Sequence, residues 1–335
     1  MDYSREDIKK RISPNSRVLI VTHKNPDGDA MGASLGMYNF LKNMGCTVNV
    51  VTPNEYPRFL KWLPGNAQVT VFNSEKTKAK NLISKADTVF CLDFNSPGRA
   101  GEVNFSLTAS KAFKILIDHH PDPEPFVDYT LSDVTVSSTA ELVFRFIEWL
   151  DCRELIDHAV AESLFTGIMT DTGCFSYNSS QPETYRVLSE LMKMGVDKDK
   201  VYDRVYDNFS EERMRLLGYC LDKKMVVLPR YSTAYISLTK KEKEKYNFAI
   251  GDSEGFVNYP LSIKDISFAA LFMENDNGVK LSFRSKGDFS VNDFSRRHFD
   301  GGGHKNAAGG ESELSMEDTV KKFCSLLPKY FGEDD

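Results

Sequence analysis

RVLIVTHKNPDGDAMGASLGMYNFLKNMG (17–45) decides the fold. It opens with a β-branched apolar run, RVLIVTH (17–23), and breaks at Pro-Asp-Gly. It resumes in AMGASLGMYNFLKNMG (30–45), where apolar residues recur at helical spacing and Gly45 suits a helix C-cap. The strand theme returns in TVNVVT (47–52), TVFCLDF (88–94) and KILIDHH (114–120), with amphipathic stretches such as SEKTKAKNLISKA (74–86) between them. STAELVFRFIEWL (138–150) and HAVAESLFTGIMTDTG (158–173) follow as apolar helices. Strands apolar on both faces and separated by helices predict an α/β fold with a doubly wound, mostly parallel sheet.

Beyond residue 182 the pattern changes. ETYRVLSELMKMG (183–195) and DKVYDRVYDNFSEERMRLLGYCLDKK (199–224) read as consecutive helices with no strand between them. MVVLPR, TAYISLT, ISFAALFME and VKLSFRSK then read as strands of a smaller α+β domain that closes in the helix MEDTVKKFCSLLPKYF (316–331). The expected division is a first domain over 1–195, a helical connector over 196–224 and a second domain over 225–335. A chain of 335 residues fits two cores, since single cores stop growing at about 250–300 residues. KKEKEKY (240–246) reads as a solvated helix face.

Composition excludes several classes. With 41% hydrophobic and 27% charged residues the chain is not largely disordered. No run approaches the ~18 apolar residues of a membrane span, and MDYSREDIKKRISPNSR lacks the apolar core of a secretory signal. Six scattered Cys with no CxxC pair read as buried thiols of a reducing compartment, so the expectation is a cytoplasmic protein with no membrane partner. A net charge of −6 argues against a long duplex nucleic acid as partner. It leaves room for a short anionic ligand held in one local site.

The strands of the first half run into acids and imidazoles. Strand 17–22 leads to His23, Asp27 and Asp29, strand 88–92 to Asp93, strand 114–117 to Asp118, His119 and His120, and the apolar segment 164–169 to Asp171. In open α/β sheets, ligands bind outside the carboxyl ends of the strands. Each residue alone has an ordinary reading: NPDGD is also a turn and helix N-cap sequence, and His120 suits a core position. Carboxylates gathered at one sheet edge repel one another unless cations lie among them. Four Asp with two His and no Cys suit two divalent ions sharing a bridging carboxylate, Mn²⁺ best, with Mg²⁺, Co²⁺ or Zn²⁺ as alternatives. In the second domain, Gly301-Gly302-Gly303-His304 is too Gly-dense for a strand or helix interior and reads as a loop whose N–H groups converge on an anion. Arg296 and Arg297 read as solvated helix charges.

HKNPDGDAMGAS, LDFNSPGRAG, IDHHP and GIMTDTGCF, in that order, resemble the four motifs of the DHH phosphoesterase family. GGGHKNAAGG (301–310) resembles the signature of the DHH-associated domain. The layout is most similar to the nanoRNase branch, bifunctional oligoribonucleases that also dephosphorylate 3′-phosphoadenosine 5′-phosphate. That resemblance implies Mn²⁺-dependent hydrolysis of short oligonucleotides and a nucleoside bisphosphate in a cleft between the two domains. Carried over by position, it implies His23 and Asp27 on one ion, Asp29, His119 and Asp171 on the other, and Asp93 as the bridge. It further implies Asp118 orienting His119 and His120 facing the substrate phosphate. Arg284 with Ser285 would clamp a terminal phosphate, with Gly302, Gly303 and His304 beside it. Phe94-Asn95 departs from the commonest family form. A cyclic-dinucleotide phosphodiesterase is the nearest alternative activity, and a non-catalytic nucleotide sensor is an alternative of a different class. Intact ligands at all six metal positions argue against the sensor, and homodimerisation is left open.

Overall fold

Ser4 opens the first helix, α1 (Arg5–Arg11), in a capping box with Asp7. Strand β1 (Arg17–Val21) and helix α2 (Gly28–Asn43) then reproduce the strand-turn-helix reading of 17–45. The first half continues through β2 (Thr47–Thr52), β3 (Val69–Val71), α3 (Lys76–Lys85), β4 (Thr88–Leu92), α4 (Val103–Ala109), β5 (Phe113–Asp118) and β6 (Tyr129–Ser132). Four helices follow: α5 (Thr139–Trp149), α6 (His158–Asp171), α7 (Pro182–Lys193) and α8 (Lys198–Tyr206). The computed structural model describes residues 3–276 and 278–331 and separates into two units, one ending at Asn208 and the other starting at Phe209. That break lies inside the stretch expected to be a connector, so α8 goes with the first unit and the next helix with the second.

All six strands of the first sheet are parallel, in the order β3-β2-β1-β4-β5-β6. Successive strand residues face opposite layers, as the period of two requires. Val18, Ile20, Phe90, Leu92, Ile115 and Ile117 pack into the core that holds α2, α5 and α6, while Leu19, Val21, Val89, Cys91 and Leu116 pack with α3 and α4. The order reverses between β1 and β4. A sheet wound both ways from one point leaves a crevice there, outside the strand ends.

Helices α2 and α6 cross closely, with no α2 side chain at three of the contact positions. A Cβ at Gly32 would meet the Gly167 nitrogen at 2.6 Å and the Ser163 carbonyl oxygen at 2.7 Å, and one at Gly28 would meet Thr170 Oγ1 at 2.2 Å. Three glycines spaced four apart, Gly28, Gly32 and Gly36, therefore line one α2 face. The crossing is antiparallel: the start of α2 lies against the end of α6. Gly32→Ala is expected to destabilise the protein by roughly 1–3 kcal/mol, because the obstacles are backbone atoms that cannot turn aside. The readout is the midpoint of urea unfolding at unchanged slope. An unshifted midpoint would show that the helices separate at no cost.

The second unit starts with α9 (Glu211–Tyr219), which runs into a π-helical turn at Cys220–Lys224. Strands β7 (Met225–Leu228), β8 (Thr233–Leu238), β9 (Phe268–Asn275) and β10 (Gly278–Ser285) appear where their apolar runs predicted, with the exposed helix α10 (Lys240–Lys245) after β8. Helix α11 (Val291–His298), strands β11 (Gly302–His304) and β12 (Ala307–Ser312), and helices α12 (Met316–Leu326) and α13 (Pro328–Phe331) complete it. Pro328 splits the final helix that the sequence suggested as one. The sheet order is β11-β12-β10-β9-β8-β7, antiparallel except between β8 and β9. Phe268, Phe272, Phe283, Phe294 and Phe323 fill the core beneath one of its faces.

The glycine run 301–304 is not the loop expected. Gly302–His304 forms an edge strand paired with β12. A Cβ at Gly301 would lie 2.0 Å from the Gly309 carbonyl oxygen, and Gly303 adopts φ +152° with Ala307 O only 2.4 Å from its Cβ position. Glycine is required here for backbone-to-backbone approach within a hairpin. Among the described residues, no helix is long and apolar enough to cross a membrane. All six cysteines are free, four of them buried.

Candidate metal centre

The crevice between β1 and β4 is where the acids and imidazoles meet. The register pairs Val21 with Cys91, so His23 and Asp93, two residues further along each chain, emerge level with each other. His23 Nε2 stands 3.3 Å from Asp93 Oδ2 and 3.8 Å from Asp27 Oδ2. On the other side, His119 Nε2 stands 3.7 Å from Asp93 Oδ1, 3.7 Å from Asp29 Oδ2 and 3.5 Å from Asp171 Oδ2. The two oxygens of Asp93 therefore face two different clusters. Asp93 itself sits at φ +66°, turning the chain out of the strand while its N–H still donates to Ile117 O at 3.1 Å. That backbone costs on the order of 1 kcal/mol and is kept where the surroundings hold it.

Local structure fixes each carboxylate. Asp27 caps α2, its Oδ1 accepting from the N–H groups of Asp29 at 3.1 Å and Ala30 at 3.0 Å, which leaves Oδ2 towards His23. Asp29 is held by the start of α5: Thr139 N–H donates to Oδ2 at 2.6 Å and Ala140 N–H to Oδ1 at 2.9 Å. Thr139 Oγ1 also donates to Asp93 Oδ1 at 2.8 Å, so one residue grips an acid of each cluster. His23 Nδ1–H donates to Lys24 O at 2.9 Å, which assigns the proton to Nδ1 and leaves the Nε2 lone pair towards the acids. Asp171 is the last residue of α6, the apolar helix read over 158–173.

Asp118 corrects a sequence expectation. Its Oδ1 meets His120 Nδ1 at 2.8 Å rather than His119, and among the described residues its Oδ2 is buried without a hydrogen-bond partner. In an extended chain residues i and i+2 share a face, so Asp118 at the end of β5 reaches His120 and passes over its immediate neighbour. His120 Nδ1 also lies 3.6 Å from Asp93 Oδ1.

The charges show what this arrangement requires. Burial, then the neighbouring acids Asp93, Asp171 and Asp27, push the Asp29 carboxyl well above its usual range. Burial and the Asp93 charge push Asp118 up to about 7. Burial opposes ionisation of Asp93 too, but His23, His119 and Thr139 bring its carboxyl below the usual value. The imidazole-carboxylate spacings of 3.3–3.8 Å exceed the 2.7–2.9 Å of a charge-assisted hydrogen bond. They match ligand atoms that each lie about 2.1 Å from a shared ion, which stand roughly 3–4 Å apart. His23, Asp27 and Asp93 form one such set, and Asp29, His119 and Asp171 another. The donor chemistry fits divalent cations.

Residues 17–168 match the DHH family, N-terminal domain, and residues 232–333 match the DHHA1 domain. A bifunctional oligoribonuclease and PAP phosphatase of Thermus thermophilus is 30% identical over 292 residues, covering 87% of this chain and 83% of that protein. The chain belongs to the DHH family. An exopolyphosphatase-related protein of Bacteroides fragilis is 45% identical with a TM-score of 0.92, over 97% of this chain and 96% of that one. RecJ of Thermus thermophilus in complex with Mn²⁺ shares the fold at 12% identity and a TM-score of 0.56, over 97% of this chain and 54% of that one. Membership makes this chain a phosphoesterase hydrolase, and the Asp118-His119-His120 run is the family's DHH triplet. Thr139 and Ala140 went unrecognised in the sequence. The only signal was a Ser-Ser-Thr run at a helix start, which reads as a cap.

In the second unit of this DHH protein, β10, β12 and β11 align Arg284, Ala307 and His304 in one row. Residues in register across antiparallel strands share a face, so Arg284 and His304 flank a small alanine. Ser285, the next residue, lies on the opposite, buried face, where its hydroxyl donates to Phe289 O at 2.7 Å. Gly303 N–H is taken by Asn292 Oδ1 at 2.9 Å. Ser285 therefore does not join Arg284 in one clamp, and the Gly303 amide is committed to Asn292 of α11.

Proposed function

We propose that this protein is a metal-dependent phosphodiesterase and phosphatase that cleaves short oligonucleotides to mononucleotides and 3′-phosphoadenosine 5′-phosphate to AMP. One observation carries it: the buried Asp93 carboxylate turns one oxygen to a His-Asp cluster and the other to a second cluster. His23, Asp27 and Asp93 would hold one ion, and Asp29, His119, Asp171 and Asp93 the other, with Mn²⁺ the best match to the donors and Mg²⁺ or Co²⁺ as substitutes. Bound ions of this kind supply charge neutralisation at phosphorus and an activated water. The chain's own groups do the rest. Thr139 and the start of α5 keep Asp29 and Asp93 from turning, and Lys24 O holds the His23 tautomer.

His120, held through Nδ1 by Asp118, presents Nε2 for a proton exchanged with substrate. With Asp118 raised to about 7, the Asp118–His120 pair changes protonation near neutral pH. Asp118→Asn keeps the shape but breaks that coupling. It is expected to lower kcat roughly 10–100-fold and flatten the pH profile near 7, with Mn²⁺ stoichiometry unchanged. Wild-type kinetics would remove Asp118 from the proton path.

In the second unit we assign the substrate contacts to Arg284, Gly302 and His304, with Ser285 and Gly303 as supports of the hairpin. Arg284 suits a phosphate because its fork binds two oxygens at once. The relatives' names support the reading at the level of substrate class. The deciding experiment supplies purified protein with Mn²⁺ and compares linear dinucleotide, longer oligonucleotides, cyclic dinucleotide, 3′-phosphoadenosine 5′-phosphate and pyrophosphate. Turnover confined to cyclic dinucleotide would move the assignment to a cyclic-dinucleotide phosphodiesterase. No turnover on any of them would leave a nucleotide-binding protein.

A further inference from the structure

Arg99 lies six residues past Asp93, in a single 3-10 turn over Pro97–Ala100. The turn is pinned beside the centre, because Arg99 O accepts the Lys24 N–H at 2.7 Å next to His23. The same loop is tied from its other side, where Asn95 Nδ2 donates to Pro121 O at 2.6 Å, just beyond the DHH triplet. Arg99 is thus held between the His23 and the Asp118–His120 sides of the crevice. Its charge reaches both, holding down the protonation of His23 and of Asp118.

The side chain is half-buried, yet among the described residues its guanidinium has no hydrogen-bond or ion-pair partner. Some arginines of the chain are paired, Arg17 with Asp87 and Arg186 with Glu148 and Glu183. Two of the centre's acids are already committed. Asp29 is taken by the α5 amides and Asp93 faces His23, His119 and Thr139. Asp27, Asp29, Asp93 and Asp171 carry four negative charges, which two divalent ions balance. Arg99 then adds a surplus positive charge with five unspent donors near His23 and Asp118.

We propose that Arg99 binds the phosphate group undergoing hydrolysis, gripping two of its oxygens from the first unit. The proposal rests on the phosphoesterase reading of this centre and adds to it a substrate contact other than the metal ligands and the second-unit residues. Its ligand class is any phosphate mono- or diester, and inorganic phosphate is the simplest member.

The test is calorimetric titration of the Mn²⁺-loaded full-length protein with inorganic phosphate, alongside a Mn²⁺ titration of each metal-free protein. Arg99→Ala should weaken phosphate binding at least about 10-fold while leaving Mn²⁺ affinity within about 2-fold. Arg99→Lys should recover part of the loss, since a single point charge replaces the fork. Arg99→Gln covers the case in which the alanine variant fails to fold. With 3′-phosphoadenosine 5′-phosphate, kcat/KM should fall roughly 10–100-fold with the same rank order of variants. Unchanged phosphate affinity in the alanine or glutamine variant would overturn the proposal, as would a parallel loss of Mn²⁺, which marks a structural role. Failure of the wild type to hydrolyse any phosphoester would overturn the activity instead, and the phosphate titration would still report on Arg99.

Discussion

Asp93→Asn is expected to abolish turnover, by at least about 10³-fold in kcat, and to leave no more than one tightly bound ion per chain. The substitution keeps the side chain's shape and its contact with Thr139. It replaces with an amide nitrogen one of the two oxygens that face the separate clusters, and an amide nitrogen has no lone pair for a cation. The remaining Asp27, Asp29 and Asp171 carry three negative charges against four on a full metal pair. A residue on which both halves of a site depend removes nearly the whole effect when lost alone. Metal stoichiometry by elemental analysis and single-turnover rates with Mn²⁺ read the outcome. Two tight ions together with near-normal turnover would disprove the bridge.

The second large effect needs no substrate. Asp118 has a folded value of about 7 against an ordinary 3.8, and Asp29 is raised in the same direction. A carboxyl raised on folding favours the folded state fully below its unfolded value, and that contribution is lost as pH climbs through the folded value. The chelated protein should therefore lose stability between pH 5 and pH 8, by roughly 2–3 kcal/mol from Asp118 alone. Mn²⁺ bound at the centre would supply the charge whose absence causes the loss, so the rise in Tm on adding it should be larger at pH 8 than at pH 5. A chelated protein whose Tm is flat or increases over that interval would contradict buried acids held apart from their counter-charge.

Much of the centre could be read from the sequence because its ligands follow strands, and strands announce themselves by β-branched runs. The parallel sheet, its two-faced burial and the convergence of His23, Asp93 and His119 all follow from that. What escaped the sequence depends on partners far along the chain. Thr139 serves acids at 29 and 93, and nothing in a Ser-Ser-Thr run distinguishes such service from a helix cap. The Asp118–His120 pair was within reach, since extended residues two apart share a face, but adjacency suggested His119. The short edge strands β3 and β6 lack length enough to stand out. The glycines at 301–303 looked too permissive for a strand, whereas the hairpin needs them because main chain meets main chain.

The antiparallel crossing of α2 and α6 also sets the moment at which the centre can come into being. Asp29 heads one helix and Asp171 ends the other. During synthesis the first of these emerges long before the second, and domains consolidate as their chain becomes available. Until α6 has been made, the acids of β1, β4 and β5 have no fourth member opposite them. Docking of α6 on α2 closes the glycine-lined contact and brings Asp171 to the other acids in a single event. Van der Waals attraction between the two closely packed helices thus offsets repulsion between carboxylates at the same stage of assembly.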